Sequence, residues 1–249
     1  MSLSKYKIKV YETDKSTIPQ RKCSKDQIMP KFPFSIMISG SSGSGKTNLL
    51  MNIMNNDNLF NKYFHYIIVF SPTAGKYDDT YKNLNIPAEN FIRELKKEQL
   101  EDIIEARRKL IEEKGIKWVS RNARACLILD DVIADRSFLN SEGALKLFTL
   151  LRHYLCSIIV MVQTYNKLPK ALRGNCNAII IFPSLQAETE ILIDEITPSG
   201  IKKREFEKVV NYACNEKYNF LYINRHADKD KMIRKNLDEI IDLDKYRNS

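Results

Sequence analysis

The chain has 249 residues, 43% of them hydrophobic, and carries a formal charge of +9. That length suits one large α/β domain, and that apolar content excludes wholesale disorder. The basic surplus is compatible with a polyanionic partner but does not by itself require one.

Residues 1–33 read as a basic N-terminal arm. Tyr6, Ile8 and Val10 alternate with Lys there, as in a short edge strand. From Phe34 the pattern changes, and 34–249 reads as one domain. Phe34 to Ile38 is a short apolar run, as expected for a strand buried on both faces. A Gly/Ser loop follows, and Asn48 to Met54 reads as a helix. His65 to Phe70 is a second strand, ended by the loop Ser71 to Gly75. Gln99 to Lys114 is helical, with Leu100, Ile103, Ile104, Leu110 and Ile111 on one face and Gly115 as its stop. Cys126 to Leu129 is a third strand, ending in Asp130 and Asp131. Ser141 can cap a helix that runs to about His153 with Leu145, Phe148 and Leu151 inward. Ser157 to Val162 is a fourth strand, ending at Gln163, and Asn177 to Phe182 holds a fifth. Two helices, near Glu188 to Glu195 and Lys202 to Tyr212, precede a strand over Tyr218 to Ile223. Short apolar strands separated by helices predict an α/β fold with a mainly parallel sheet.

Five cysteines occur, at Cys23, Cys126, Cys156, Cys176 and Cys214, with no C-x-x-C pair. Free thiols in a reducing compartment are expected, and zinc or a disulfide framework is not. No run is apolar over a membrane-spanning length, and the N-terminus has no secretory core, so no membrane partner is expected.

Gly40-Ser41-Ser42-Gly43-Ser44-Gly45-Lys46-Thr47 fits G-x-x-x-x-G-K-[ST] at every fixed position. Glycines let the backbone turn its N–H groups around phosphate oxygens, and the following helix points its positive end at them. Lys46 brings a point charge to the β- and γ-phosphates, and Thr47 offers a hydroxyl to Mg²⁺. The expected ligand is a nucleoside triphosphate, ATP first, with Mg²⁺. Asp130 then serves the Mg²⁺ side through water, and Asp131 is placed to polarise the attacking water. Glu is more familiar in that second place, and Asp is about one methylene shorter. Gln163, at the tip of the next strand, is the expected γ-phosphate sensor. An arginine can stabilise charge developing on the phosphates, in cis or from a neighbour. Arg152 and Arg173 are the candidates. Lys202-Lys203-Arg204 and Lys229, Lys231, Arg234 and Lys235 form basic clusters able to neutralise DNA phosphates.

With these motifs in order, the chain resembles the DNA-packaging ATPases of large double-stranded DNA viruses and virophages, the poxvirus-type branch of the FtsK–HerA superfamily. The resemblance rests on FPFSIMISGSSGSGKTNLL, CLILDDV and LRHYLCSIIVMVQTYNKLPKALRGNCNAIIIF. It implies a RecA-like P-loop core of the additional-strand catalytic-glutamate type and a homo-oligomeric ring. It also implies translocation of double-stranded DNA, independent of sequence, into a viral capsid at its portal vertex. The implied location is the host cytoplasm or viral factory, or the virion. Carried over by position, Lys46 and Thr47 bind phosphate and Mg²⁺, and Asp130 and Asp131 form the acidic motif. Gln163 is the sensor and Arg152 the trans finger. Tyr77 to Lys82 and the segment before Trp118 are the candidate DNA-contacting loops. A nucleoside or small-molecule kinase, a helicase-type ATPase and a non-catalytic nucleotide switch are the alternatives. The paired acids and Gln163 favour hydrolysis over transfer to a small acceptor.

Overall fold

The computed structural model describes residues 28–72, 81, 84, 86–94, 96–131 and 142–247. The expected edge strand near Tyr6, Cys23, the Ser141 cap and all of Tyr77 to Lys82 except Tyr81 lie outside these residues.

In chain order the elements are β1 (Ser35–Ser39), α1 (Lys46–Asn55), β2 (Tyr66–Phe70), β3 (Phe91–Ile92), α2 (Lys97–Lys114), α3 (Ile116–Asn122) and β4 (Ala125–Asp130). There follow α4 (Glu142–His153), β5 (Cys156–Val162), α5 (Lys170–Gly174), β6 (Ala178–Ile181), α6 (Gln186–Ile196), α7 (Lys203–Ala213), β7 (Leu221–Asn224), β8 (Ile233–Lys235) and β9 (Glu239–Ile240). One nine-stranded sheet runs β3-β2-β4-β5-β1-β6-β7-β8-β9. The strands from β3 to β6 are parallel, and β7, β8 and β9 are joined on antiparallel. β5 therefore lies between the phosphate-loop strand β1 and the acidic strand β4. That is the additional strand expected of this class of P-loop fold.

Every residue of β1, β5 and β6 is buried, which explains their unbroken apolar runs: helices or packed loops cover both sheet faces. Alternation sorts the side chains between two cores. Met37 joins Leu100, Phe148, Leu151, Phe206 and Val209 on one face. Ile36 and Ile38 join Leu50, Ile53, Val119 and an aromatic group of Phe34, Phe60, Tyr63 and Phe64 on the other. Each fully buried Leu, Ile or Phe contributes about 1.5–3 kcal/mol. The outermost strands, β3 and β9, have two residues each, and such short edges limit pairing with other chains.

Several elements depart from the sequence reading. Helix α2 stops at Gly115, whose φ of +80° suits glycine, but the chain turns straight into α3, which was not expected. The strand expected from Tyr218 begins only at Leu221, because Tyr218 has a φ of +73° and cannot extend the ladder. Met29 and Phe32 pack in the second core, and the Tyr222 hydroxyl donates to the Ile28 carbonyl. The expected arm boundary at residue 33 thus falls inside packed chain. Cys126, Cys156 and Cys176 are buried free thiols, and burial raises all three pKa values, Cys156 and Cys176 to about 12. Among the described residues no helix is long and apolar enough to cross a membrane.

Candidate functional site

Parallel strands present their carboxyl ends together, and ligand clefts in open α/β sheets form there. The register levels those ends. Ser39 of β1 is paired with Val162 of β5 and Ile181 of β6, and Asp130 of β4 with Met161 of β5. The next residues, Gly40, Gln163 and Phe182, therefore leave the sheet at one level, with Asp131 one residue below them, beside Val162. Three backbone bonds fix them: Gly40 N–H to Val162 O at 3.1 Å, Phe182 N–H to Ser39 O at 2.9 Å and Asp131 N–H to Met161 O at 3.3 Å.

Above these ends lies a cleft of about 670 Å³. Ser42, Gly43, Gly45, Lys46, Thr47, Asp130, Asp131 and Gln163 all line it. Most of the predicted site, scattered over more than a hundred residues of chain, is thus brought to one place. The loop geometry explains the glycines that matter most. A Cβ on Gly40 would stand 2.8 Å from Phe182 Cβ and 2.6 Å from Ser44 Oγ, so no larger residue fits. Gly45 has a φ of +101° and is the N-cap of α1 without any side-chain cap. The first N–H groups of α1 are left for a ligand, and no acidic residue occupies its first turn. Gly40, Ser41 and Ser44 shape the loop from behind rather than lining the cleft.

Lys46 Nζ donates to the carbonyls of Gly40 at 2.6 Å and Ser41 at 3.0 Å, holding the ammonium against the loop. Burial lowers its pKa, and the opposing pull of Asp131, then Asp130, offsets part of that. Asp131 sits in the left-handed region, φ +53°, where Asp is tolerated better than most residues. Its Oδ2 accepts from Gln163 Nε2 at 2.5 Å, and Gln163 Oε1 accepts from Lys167 Nζ at 3.4 Å. The expected sensor and the expected base are therefore in direct contact.

Tyr81 was read as part of a DNA-contacting loop, but it is 2% exposed and donates its hydroxyl to Asp130 Oδ2 at 2.6 Å. It also packs on Phe91, with ring centroids 6.0 Å apart. No sequence signal links residues 49 apart, so this contact was not foreseen. Phe182, Tyr218 and Phe220 line the far end of the cleft and were likewise missed.

The two arginine candidates separate. Arg173 is buried and fully engaged: it pairs with Glu195 at 2.6 Å, donates to Leu168 O and stacks on Tyr165 at 4.7 Å. Burial pushes the Glu195 carboxyl up, but Arg173, with help from the Tyr165 hydroxyl and Lys170, holds it below its ordinary value. A finger role for Arg173 is thereby removed. Arg152 is half-buried at the end of α4, with Nη1 3.3 Å from Asn175 O. It precedes the seven-residue β5, so it lies at the opposite end of the sheet, about 20 Å from its own cleft. It cannot serve that cleft in cis.

The basic clusters are partly spent within the chain. Arg234 is 2% exposed and donates to Leu237 O. Lys203 pairs with Asp194 at 2.6 Å, and Lys235 sits 4.7 Å over the Tyr212 ring. Trp118, on α3, remains exposed.

The family model of the Poxvirus A32 protein matches residues 21–241, nearly the whole chain. The chain belongs to the Poxvirus A32 protein family. Two named relatives are similar over 70% of its length. The DNA packaging protein OPG160 of vaccinia virus (strain Copenhagen) is 30% identical over 178 residues, which cover 62% of that protein. Its monkeypox virus counterpart is 29% identical over 176 residues, covering 55%. This A32-family chain therefore aligns with little more than half the length of those relatives. Among solved structures, the genome packaging NTPase B204 from Sulfolobus turreted icosahedral virus 2, in complex with AMPPCP, superposes with a TM-score of 0.58. The match covers 84% of this chain and 98% of that one at 14% identity. EssC (ATPases 2 and 3) from Geobacillus thermodenitrificans gives 0.51 at 14% identity, covering 82% of this chain and 39% of that one. The A32 family chain thus shares the P-loop fold of these proteins.

Proposed function

We propose that this chain is an ATP-hydrolysing motor that moves double-stranded DNA into a viral capsid, working as a ring of identical subunits. One observation carries the reading. Lys46 and Thr47 from the loop after β1, Asp130 and Asp131 from β4, and Gln163 from β5 line a single cleft. The cradle fits a triphosphate because Gly40 leaves no room for a Cβ and the amino end of α1 is uncapped. Thr47 and Asp130 offer hard oxygen donors beside it, which suits Mg²⁺ held by few protein groups plus phosphate and water. When bound, the ion neutralises charge on the phosphate oxygens.

The chain's own residues do the rest. Backbone N–H groups and Lys46 fix the β- and γ-phosphates. Asp131 orients the attacking water and takes its proton, and Gln163 steadies Asp131 and senses the γ-phosphate. Arg152, remote from its own cleft, reaches the cleft of the neighbouring subunit. DNA packaging in this chain's case is supported by the names of its relatives and by the +9 charge. With no base-reading motif, DNA binding is sequence-independent and weakens steeply with salt.

Steady-state phosphate release from ATP, with and without long double-stranded DNA, tests the motor. Stimulation by DNA is expected. Mixing Arg152→Ala with Asp131→Ala subunits should restore part of the activity each lacks, since one subunit then supplies each group. Hydrolysis indifferent to DNA in every assembled state would overturn the motor reading.

Tyr81 gives a finer prediction. Tyr81→Phe keeps the ring that packs on Phe91 and removes the hydroxyl that bonds Asp130. Losing a bond to a charged group is worth about 1.5–3 kcal/mol. The half-saturating Mg²⁺ concentration should rise about tenfold, with the rate at saturating Mg²⁺ little changed. An unchanged Mg²⁺ requirement would show that Tyr81 only fills space.

A further inference from the structure

We propose that the β6–β7 end of the cleft is a nucleobase site, with the Tyr218 ring as its stacking platform. This rests on the triphosphate reading of the same cleft. The cleft is chemically divided. Asp130, Asp131 and Gln163 stand on the β4–β5 side of the phosphate loop, and Phe182, Tyr218 and Phe220 on the β6–β7 side. A triphosphate laid along the loop with its γ-phosphate toward the acids points its nucleoside at the aromatics.

Tyr218 has the marks of a ligand-facing residue. It is 56% exposed, although large and apolar. Its φ of +73° is one that aromatic residues seldom adopt, and strain of this kind gathers at ligand sites. The turn that carries it is braced: Asn219 N–H donates to Glu216 O at 3.1 Å, and Asn236 Nδ2 to Asn219 Oδ1 at 3.1 Å. Phe220 N–H donates to Asn236 Oδ1 at 3.1 Å. Behind the platform the Phe182 and Phe220 rings pack with centroids 5.2 Å apart. The Tyr218 ring leans over the loop itself, since a Cβ on Gly45 would lie 3.3 Å from its Cδ1. Lys217 Nζ rests 4.8 Å over the ring, on a flexible stem that a base can displace. Asn48 and Asn52 of α1 also line the cleft; Asn52 Nδ2 donates to Asn48 Oδ1 at 2.7 Å, which leaves Asn48 Nδ2 and Asn52 Oδ1 to meet the base edge or the ribose hydroxyls. An aromatic wall, polar groups in the same cleft and an adjacent phosphate cradle together fit a flat nitrogen heterocycle on a sugar triphosphate.

Calorimetric titration of the full chain with Mg-ATP and with magnesium tripolyphosphate, which has no base, tests this. Tyr218→Ala should weaken ATP about tenfold or more and leave tripolyphosphate unchanged, as expected when one base–aromatic stack is removed. Tyr218→Phe should bind both as the parent does. ATP affinity unaltered by Tyr218→Ala would overturn the base platform while leaving the phosphate cradle standing. Parallel loss of both ligands in Tyr218→Ala would assign Tyr218 to the shape of the loop and overturn it too. A parent chain that binds neither ligand would overturn the cradle and the platform together.

Discussion

Lys46→Ala is expected to slow ATP hydrolysis about a thousandfold and to abolish tight triphosphate binding. The ammonium is held against Gly40 O and Ser41 O at the wall of the cleft, and among the described residues no other Lys or Arg lines it. One charge pair at 4 Å is worth about 4 kcal/mol at an effective dielectric of 20, and each 1.4 kcal/mol is tenfold. Steady-state phosphate release with titration calorimetry measures both effects, and a variant keeping a tenth of the parent rate would remove Lys46 from its role. Folding should not suffer. Burial lowers the Lys46 pKa from the ordinary 10.5, with Asp131 and Asp130 opposing, so the charged form is held at a cost in the folded chain. The unfolded chain binds that proton more readily, so the group's contribution to stability rises as pH climbs toward 10.5. The uncharged Lys46→Met variant should therefore unfold no earlier than the parent near neutral pH. Any advantage it has should shrink as pH rises. Activity and stability move apart at this residue, as expected for a charge kept for its ligand.

What could be read from the sequence was whatever depends on neighbours along the chain. The phosphate loop is legible because glycine stereochemistry is local: a φ of +101° at Gly45 excludes most side chains wherever the chain goes next. The strands β1, β4 and β5 are legible because burial on both faces demands unbroken apolar runs. Asp130, Asp131 and Gln163 follow, since each is the first polar residue or pair after such a run. Contacts across the fold left no trace. Tyr81 looked like any loop aromatic, and nothing near it in sequence announces Asp130. Arg173 looked as available as Arg152 until Glu195, from another helix, claimed it. Tyr218, Phe220 and Tyr222 alternate as in a strand, yet only Tyr222 is in one. The two-residue strands β3 and β9 are too short to show a period, and α3 exposes Ile116 and Trp118, which blurs its apolar face.

Asp131→Asn isolates the charge of the expected base. Asn tolerates the left-handed backbone at φ +53° as well as Asp does, and its amide oxygen can still accept from Gln163 Nε2. The shape of the site should survive while its proton acceptor is lost. A positioned general base contributes about 10²–10⁴-fold, so hydrolysis at saturating ATP should fall by at least about a hundredfold. ATP affinity should stay within about threefold of the parent, because removing an interaction made only in the transition state lowers rate without weakening binding. That split, rate lost and binding kept, distinguishes this variant from Lys46→Ala, which loses both. Asp131→Glu is the complementary change. The longer side chain is the more familiar base in such sites, but here it must fit a left-handed backbone and a Gln163 contact set at 2.5 Å for Asp. It should recover only part of the parent rate. A glutamate variant faster than the parent would mean that the positive φ imposes no choice of base. An Asn variant still hydrolysing at half the parent rate would mean that the water is activated by some other group.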